Sequence, residues 1–207
     1  MKAYELPEGF VYIDDIIRDS VIDAKYAGYD NFMGRPAAGY EGPFVVASEV
    51  CARDCKKVAD LLRPKGYLLK FYDAYRPQRA VDDFAMWAKD EAATQRKAVH
   101  YPNIEKNQLF PLGYIAARSS HTRGASVDLT LVDAATGEEL DMGSIFDFMD
   151  TRSWETATDL TPEQKQNRLL LRSAMLSCGF RPYECEWWHF YVGTEPFPDT
   201  YFDFVIK

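Results

Sequence analysis

The chain has 207 residues, of which 47% are hydrophobic, and a formal net charge of −8 at pH 7. This hydrophobic content is enough for a full core and excludes a disordered chain, while the negative charge argues against a nucleic-acid ligand. No apolar run approaches the roughly 20 residues that a membrane-spanning helix needs, so no membrane partner is expected. Because no linker divides the sequence, we predict a single domain over residues 1–207.

The N-terminal part is predicted to contain one short strand followed by a long loop. Residues 1–10 hold one lysine and no apolar stretch, so they lack the pattern of a signal peptide. We therefore expect a cytoplasmic protein, or a periplasmic one if a leader has been removed. Residues 10–13 predict a strand. Residues 25–42, with four glycines and one proline, predict a loop that either lines a site or is an ordered surface loop.

The next part of the chain alternates helices with a strand. Ser48 can cap a helix that runs to about Arg63, where a proline and a glycine end the apolar periodicity. Residues 67–73 are rich in β-forming side chains and predict a strand. After a short turn, Pro77 serves as the first residue of a second helix, which runs to about Ala93.

A loop and a strand are predicted next. Residues 94–118 predict a loop that could cover a cleft. His100 lies in it and is expected to be a surface group, because no carboxylate or cysteine accompanies it at a ligand spacing. Residues 125–132 alternate apolar and polar side chains, which is typical of a half-buried strand.

The last part of the chain completes the predicted fold. Residues 140–159 are acidic and irregular. Residues 161–164 form a capping box that begins a helix, and Gly179 ends this helix. Residues 187–192 predict an aromatic strand. The order of elements favours an α+β domain, with a central, largely antiparallel sheet and helices packed against one side.

Two of the three histidines lie in short stretches that also carry carboxylates: His121 with Asp128, and His189 with Glu186. Two neutral imidazoles and the Asp128 carboxylate would leave one position open for water on a tetrahedral zinc, which is the pattern of a catalytic site. These ligand types suit zinc better than calcium or magnesium, and a thiolate site is not expected because no Cys-x-x-Cys pair is present. Glu186 would act as the general base. Either histidine alone would more often be a packed core residue, but the two stretches together favour a metal site.

The spacing within each stretch makes a geometric demand. His121 precedes Asp128 by seven residues, which would place the two side chains on opposite faces of a regular strand. Gly124 can supply a bend that brings them together. An odd spacing also separates Glu186 from His189, so we predict an irregularity at the two tryptophans between them.

Arg76 lies in a turn between a strand end and a helix start. A guanidinium held there could stabilise a developing oxyanion. The alternative is a surface salt bridge with Asp73 or Asp82, and the sequence leaves both interpretations open.

Two motifs carry a family resemblance. Ser119 to Asp128 resembles the S-x-H-x-x-G-x-x-x-D motif of the zinc D-alanyl-D-alanine peptidases, and Glu186 to His189 resembles their E-x-W-H-type motif. The sequence is most similar to the VanX-type D-Ala-D-Ala dipeptidases of this group. Cys185 and Phe190 flank the second motif at positions where leucine and tyrosine would be expected. The similarity covers most of the chain, through residues 23–26, 30–32, 75–77, 101–104, 142–144, 146–150 and 201–204.

This resemblance implies a fold and a metal. The fold would be the α+β fold shared by hedgehog signalling domains and D-Ala metallopeptidases. One zinc ion per chain would be held by His121, Asp128 and His189.

The resemblance also implies the roles of five further residues. Glu186 would be the base, and Arg76 would stabilise the transition state. Tyr26, Ser119 and Asp147 would line the dipeptide pocket, with Asp147 near the substrate's ammonium. A small closed pocket fits a substrate with two charged ends, since leaving either charge buried and unpaired would cost several kcal/mol, on the order of 2–7 even for a neutral polar group.

Three functions are compatible with these features. The first is a D-Ala-D-Ala dipeptidase that releases two D-alanines, with this small dipeptide as its partner and homo-oligomer formation left open. The second is a murein D,D-carboxypeptidase or L-Ala-D-Glu endopeptidase of the same superfamily, which the lack of a cell-wall-binding repeat disfavours. The third is a binding module with a non-catalytic zinc pocket, which Glu186 and Arg76 disfavour.

Overall fold

Strands and helices follow one another along the chain in the computed structural model, which describes Lys2 and residues 5–207. The strands are β1 (Phe10–Tyr12), β2 (Val21–Ile22), β3 (Val46–Ser48), β4 (Tyr67–Asp73), β5 (Ser126–Asp133), β6 (Phe180–Tyr183) and β7 (Glu186–Val192). The α-helices are α1 (Ile13–Ile16), α2 (Glu49–Leu62), α3 (Gln78–Lys89), α4 (Lys97–His100) and α5 (Pro162–Ser177).

The central sheet has the strand order β2-β4-β5-β7-β6. Every neighbouring pair is antiparallel except β2 and β4, which run parallel, so the predicted α+β fold with a largely antiparallel sheet is confirmed. The strand predicted at residues 10–13 forms as β1, but it pairs with β3 in a separate two-stranded sheet. The last strand in sequence, β7, lies inside the central sheet between β5 and β6.

Helices α2 and α5 pack against each other and against the central sheet. Ser48 caps α2, since its hydroxyl accepts a hydrogen bond from the Cys51 amide, and Thr161 begins α5 with the predicted capping box. Helix α3 ends at Lys89, earlier than the predicted Ala93. Within the part of the chain that the structure describes, no helix combines the length and apolarity needed to cross a membrane.

Strand β5 is buried along both faces, which corrects the prediction of a half-buried strand. All of its residues from Ser126 to Val132 are buried. On its polar face Asp128 accepts a hydrogen bond from Arg76, whose guanidinium carbon lies 4.9 Å from the ring centroid of Tyr26 and 5.2 Å from that of Phe84, so side chains from other elements cover this face. Asp128 therefore points into an enclosed space instead of solvent.

The C-terminal segment, which includes Phe202 and Phe204, contacts two turns and holds them together. The Phe202 amide donates to the carbonyl of Thr122, and the Phe204 ring stacks on Tyr75 with centroids 3.9 Å apart. Tyr75 precedes Arg76, and Thr122 follows His121. The segment thus fixes the two turns that present these side chains relative to each other.

Candidate metal centre and substrate cavity

His121, Asp128 and His189 come together at the centre of the sheet's polar face. Asp128 on β5 is the register partner of His189 on β7, and His121 approaches from a 3₁₀ turn over Ser120–Arg123. The Nε2 atom of His121 lies 3.1 Å from Nδ1 of His189 and 3.3 Å from Oδ2 of Asp128. His189 Nδ1 lies 3.0 Å from Asp128 Oδ1. The three side chains therefore converge on one point.

Gly124 provides the bend before β5 that the spacing of His121 and Asp128 requires. It ends the 3₁₀ turn in the left-handed region, with φ +68°, where a side chain is disfavoured. A Cβ atom at this position would lie 2.6 Å from Cε1 of Phe10 and 3.2 Å from the amide nitrogen of Ser48. Because His121 belongs to the turn, it escapes the alternation of the strand, and the predicted bend is confirmed.

The irregularity predicted between Glu186 and His189 is a break in pairing register. Strand β6 pairs Pro182 with Phe190 but its next residue, Tyr183, with Glu186. The residues of β7 between Glu186 and Phe190 therefore have no register partner in β6. This irregularity lets Glu186 lie on the same side of the sheet as His189. Glu186 Oε2 lies 3.8 Å from His189 Nδ1.

The donor atoms fit a zinc ion. A tetrahedron with metal–ligand bonds of about 2.0–2.1 Å has edges of about 3.3–3.4 Å, close to the observed separations. The Nδ1 atom of His121 donates to the carbonyl of Ala74 at 2.6 Å, which leaves Nε2 unprotonated and available to a metal. Burial lowers the pKa of His121 to about 4, so its imidazole is neutral. Burial would raise the pKa of Asp128, but His121 and His189 hold it below its usual value.

Glu186 presents an unengaged carboxylate to this centre. Its side chain is 17% exposed, and it makes no hydrogen bond with the described residues. Burial and the neighbouring Asp128 charge raise the pKa of Glu186 to about 8. Such a carboxylate accepts a proton more readily than an ordinary glutamate near neutral pH.

Arg76 is held in a buried ion-pair network instead of the alternative surface salt bridge. Its Nε donates to Asp73 at 2.9 Å, and its Nη2 donates to Asp128 at 3.2 Å. The guanidinium carbon lies 4.9 Å from the ring centroid of Tyr26 and 5.2 Å from that of Phe84. Two of its three guanidinium nitrogens are thus bound by carboxylates.

Asp147 and Tyr26 form a second polar group across the cavity. The Tyr26 hydroxyl donates to Asp147 Oδ2 at 2.8 Å, and both side chains are buried. Burial, together with the charge of Asp128, raises the pKa of Asp147 to about 8. A cation bound beside Asp147 would lower this pKa, because an opposite charge favours the ionised form.

All eight residues predicted for the site line one cavity of about 280 Å³. Ser119 contributes to its wall and accepts a hydrogen bond from the His121 amide at 3.3 Å. The segment predicted as a loop at residues 94–118 contains the short helix α4, and its residues Gly113 to Ala116 line another part of the cavity. This volume lies just below the range of about 300–1,000 Å³ typical of drug-sized ligands, so the cavity suits a smaller molecule.

Two residues near the site were missed or misread from the sequence. His100 was expected on the surface, but it is only 2% exposed and contacts the backbone of Asp147. Asp73 is buried and orients Arg76, while the Tyr40 hydroxyl donates to its other oxygen at 2.7 Å. The spacing of three residues between Asp73 and Arg76 had already suggested their ion pair, whereas the contacts of Asp73 with Tyr40 and of His100 with Asp147 join distant parts of the chain.

Comparisons with known proteins agree with this arrangement of residues. A family model described as D-ala-D-ala dipeptidase matches residues 7–207. A D-alanyl-D-alanine dipeptidase of Enterococcus faecium is 44% identical over 199 residues, covering 96% of this chain and 98% of that protein. The protein of the same name from Enterococcus faecalis (strain ATCC 700802 / V583) is 43% identical over 202 residues, covering 98% of this chain and all of that protein.

A solved structure gives a more distant likeness. It is a mutant of the vancomycin resistance D,D-pentapeptidase VanY from a VanB-type resistance cassette, in complex with Zn(II). The match has a TM-score of 0.43 and 13% identity, and it covers 72% of this chain and 74% of the other. At this level the likeness identifies no individual residue.

Proposed function

Because the chain belongs to the D-ala-D-ala dipeptidase family, we propose that it hydrolyses D-Ala-D-Ala to two molecules of D-alanine in a zinc-dependent reaction. The observation that carries the proposal is the convergence of His121, Asp128 and His189 beside the free carboxylate of Glu186, in one small cavity. The match of a single family model over residues 7–207 also supports one catalytic domain.

We assign the metal-holding role to His121, Asp128 and His189. Zinc bound there would lower the pKa of a water molecule to about 7 and polarise the carbonyl under attack. The hydrogen bond from His121 to the Ala74 carbonyl keeps the ring in the tautomer that can bind a metal. One ion per chain would fill the site.

Glu186 is proposed as the general base. Its carboxylate takes a proton from the attacking water and then delivers it to the nitrogen of the leaving D-alanine. The pKa raised to about 8 by burial lets Glu186 retain the proton between the two steps. A zinc ion held beside it would lower this pKa and so favour the ionised form that the first step needs.

Arg76 is proposed to stabilise the oxyanion that forms at the scissile carbonyl. Asp73 and Asp128 hold two of its nitrogens, so the guanidinium is oriented before the substrate binds. Pre-oriented donors stabilise a developing charge without reorganisation during the reaction, which makes them effective catalysts.

Asp147 is proposed to pair with the substrate ammonium. The Tyr26 hydroxyl holds the Asp147 carboxylate by a hydrogen bond, and Ser119 lines the same pocket. Extending the substrate at its N-terminus would remove the ammonium and leave Asp147 buried without a cationic partner, which disfavours blocked or longer peptides. The small cavity volume favours the dipeptide over a murein peptide.

The test is the release of free D-alanine by the zinc-loaded protein. D-Ala-D-Ala should be cleaved, and N-acetyl-D-Ala-D-Ala and D-Ala-D-Ala-D-Ala should be cleaved far more slowly. Metal-stripped protein should be inactive and should recover when zinc is restored. Equal cleavage of the blocked peptide would contradict the dipeptidase proposal and favour a murein peptidase. No cleavage of any of the three by zinc-loaded protein would favour a binding module.

A further inference from the structure

His100, the one histidine outside the metal centre, is built into the structure behind Asp147. It ends the short helix α4, and its ring is buried. Its Nδ1 atom lies 3.1 Å from the backbone carbonyl oxygen of Asp147, and its own carbonyl accepts from the Met149 amide at 2.7 Å. His100 therefore contacts the segment around Asp147 with both its side chain and its backbone.

Arg96 fixes the tautomer of this ring. Its Nη2 atom lies 3.2 Å from Nε2 of His100. A guanidinium can only donate hydrogen bonds, so Nε2 must be the acceptor and the ring proton must be on Nδ1. Nδ1 therefore donates to the Asp147 carbonyl. Arg96 is itself oriented by the Asp30 carboxylate, at 2.8 Å, and by the Asn31 carbonyl.

Asp147 has a backbone conformation that needs such support. Its φ of +56° makes it the one residue other than glycine with positive φ among Lys2 and residues 5–207. The left-handed conformation is unfavourable for a side chain with a Cβ atom, so the surrounding contacts must hold it. Since the backbone sets the direction of the Cα–Cβ bond, a turn that relaxes would move the carboxylate away from Tyr26 and the cavity.

We infer that His100 is a positioning residue that sets specificity for a free amino group. Its Nδ1–H holds the Asp147 carbonyl, this contact holds the left-handed turn, and the turn aims the Asp147 carboxylate at the substrate ammonium. The inference rests on the proposed function, in which Asp147 recognises the ammonium of a dipeptide. The supporting contacts run from Asp30 through Arg96 and His100 to Asp147, and none of the proposed metal ligands takes part in them.

Two substitutions of His100 distinguish the position of the hydrogen-bond donor from the loss of the ring itself. In His100→Asn the side-chain amide nitrogen falls near the position of Nδ1 and can still donate to the Asp147 carbonyl. In His100→Gln it falls near the position of Nε2 and cannot replace that contact. Val58→Ala, in the buried face of α2 and outside the cavity lining, serves as a control for general loss of stability. Thermal melts and zinc content would be measured for each variant.

The readout is selectivity between D-Ala-D-Ala and propanoyl-D-alanine, which has the same shape without the amino group. In His100→Gln, we expect the ratio of kcat/KM for the two substrates to fall by about tenfold to a hundredfold. This range corresponds to the loss of the hydrogen bond between the Asp147 carboxylate and the substrate ammonium. KM for D-Ala-D-Ala should rise more than kcat falls. His100→Asn and Val58→Ala should keep most of the selectivity of the wild type.

Each other outcome has a distinct meaning. An unchanged ratio in His100→Gln, or an equal loss in the Asn and Gln variants, would overturn the role of the Nδ1 donor. A wild-type enzyme without preference for the free amine would contradict the proposed role of Asp147 itself, and the inference with it. Nitrogen-15 NMR of the wild type gives a check that does not depend on activity, since it should find the His100 proton on Nδ1. A proton on Nε2 would overturn the inference.

Discussion

Substitution of Gly124 by alanine should destabilise the protein and disturb the metal centre together. The left-handed φ of +68° costs an alanine about 1–2 kcal/mol, and its Cβ atom would meet the Phe10 ring at 2.6 Å. Overpacking of this kind adds about 1–3 kcal/mol. The free energy of unfolding should therefore fall by about 2–5 kcal/mol, which corresponds to a drop in Tm of roughly 4–20 °C for a chain of this size.

Gly66→Ala is the matched control for this prediction. Gly66 has a φ of +86°, but an added Cβ atom there would meet nothing within 4 Å, so only the conformational cost of about 1–2 kcal/mol applies. Any change in the entropy of the unfolded chain is common to both substitutions and cancels in their difference. Denaturant unfolding and zinc titration of both variants would measure the effect. If Gly124→Ala is no less stable than Gly66→Ala and binds zinc as tightly as the wild type, the reasoning about the bend is wrong.

Three further predictions concern single side chains. Glu186→Gln should keep the zinc content of the wild type while kcat falls by about 10²–10⁴, and a loss of zinc would instead show that Glu186 is a ligand. Arg76→Lys should lower kcat by about 10²–10³, because an ammonium cannot replace the planar fork that bonds Asp73 and Asp128; an undiminished kcat would contradict its role at the oxyanion. Burial lowers the pKa of His100 to about 4 from 6.5, and Arg96 adds to this effect, so the folded state resists protonation of the ring. The wild type should therefore lose up to about 3 kcal/mol more stability than His100→Asn as the pH falls from 7 to 4, measured by denaturant unfolding, and a pH-independent difference would refute this.

The parts of the fold that follow local rules could be predicted from the sequence. The caps at Ser48 and Thr161 mark α2 and α5 because capping needs only a few adjacent residues. The bend at Gly124 could also be predicted, because the alternation of a strand made the spacing of His121 and Asp128 inconsistent without it.

The parts that were missed depend on contacts between distant segments. Strand β2 has only two residues, and its parallel pairing with β4 leaves no pattern in so short a stretch. The polar face of β5 is covered by side chains from distant segments, among them Arg76 and Tyr26, and the alternation within the strand does not reveal them. His100 can be buried because Arg96 and the Asp147 carbonyl form hydrogen bonds with its two ring nitrogens. A search for carboxylates or cysteines at metal-ligand spacing cannot detect such partners.

The central position of β7 has a consequence for how the protein is made. A ribosome delivers Arg76, His121 and Asp128 well before it delivers Glu186 and His189, because β7 is the last strand in the sequence yet is enclosed by β5 and β6. The growing chain thus holds two of the three proposed metal ligands and lacks the proposed base. Pairing between strands far apart in sequence is slow to form, so docking of the β6–β7 hairpin is expected late in folding, together with the C-terminal segment that follows it. Hydrolytic competence would then arise at once, when that hairpin docks, and an unfinished chain could not attack its substrate.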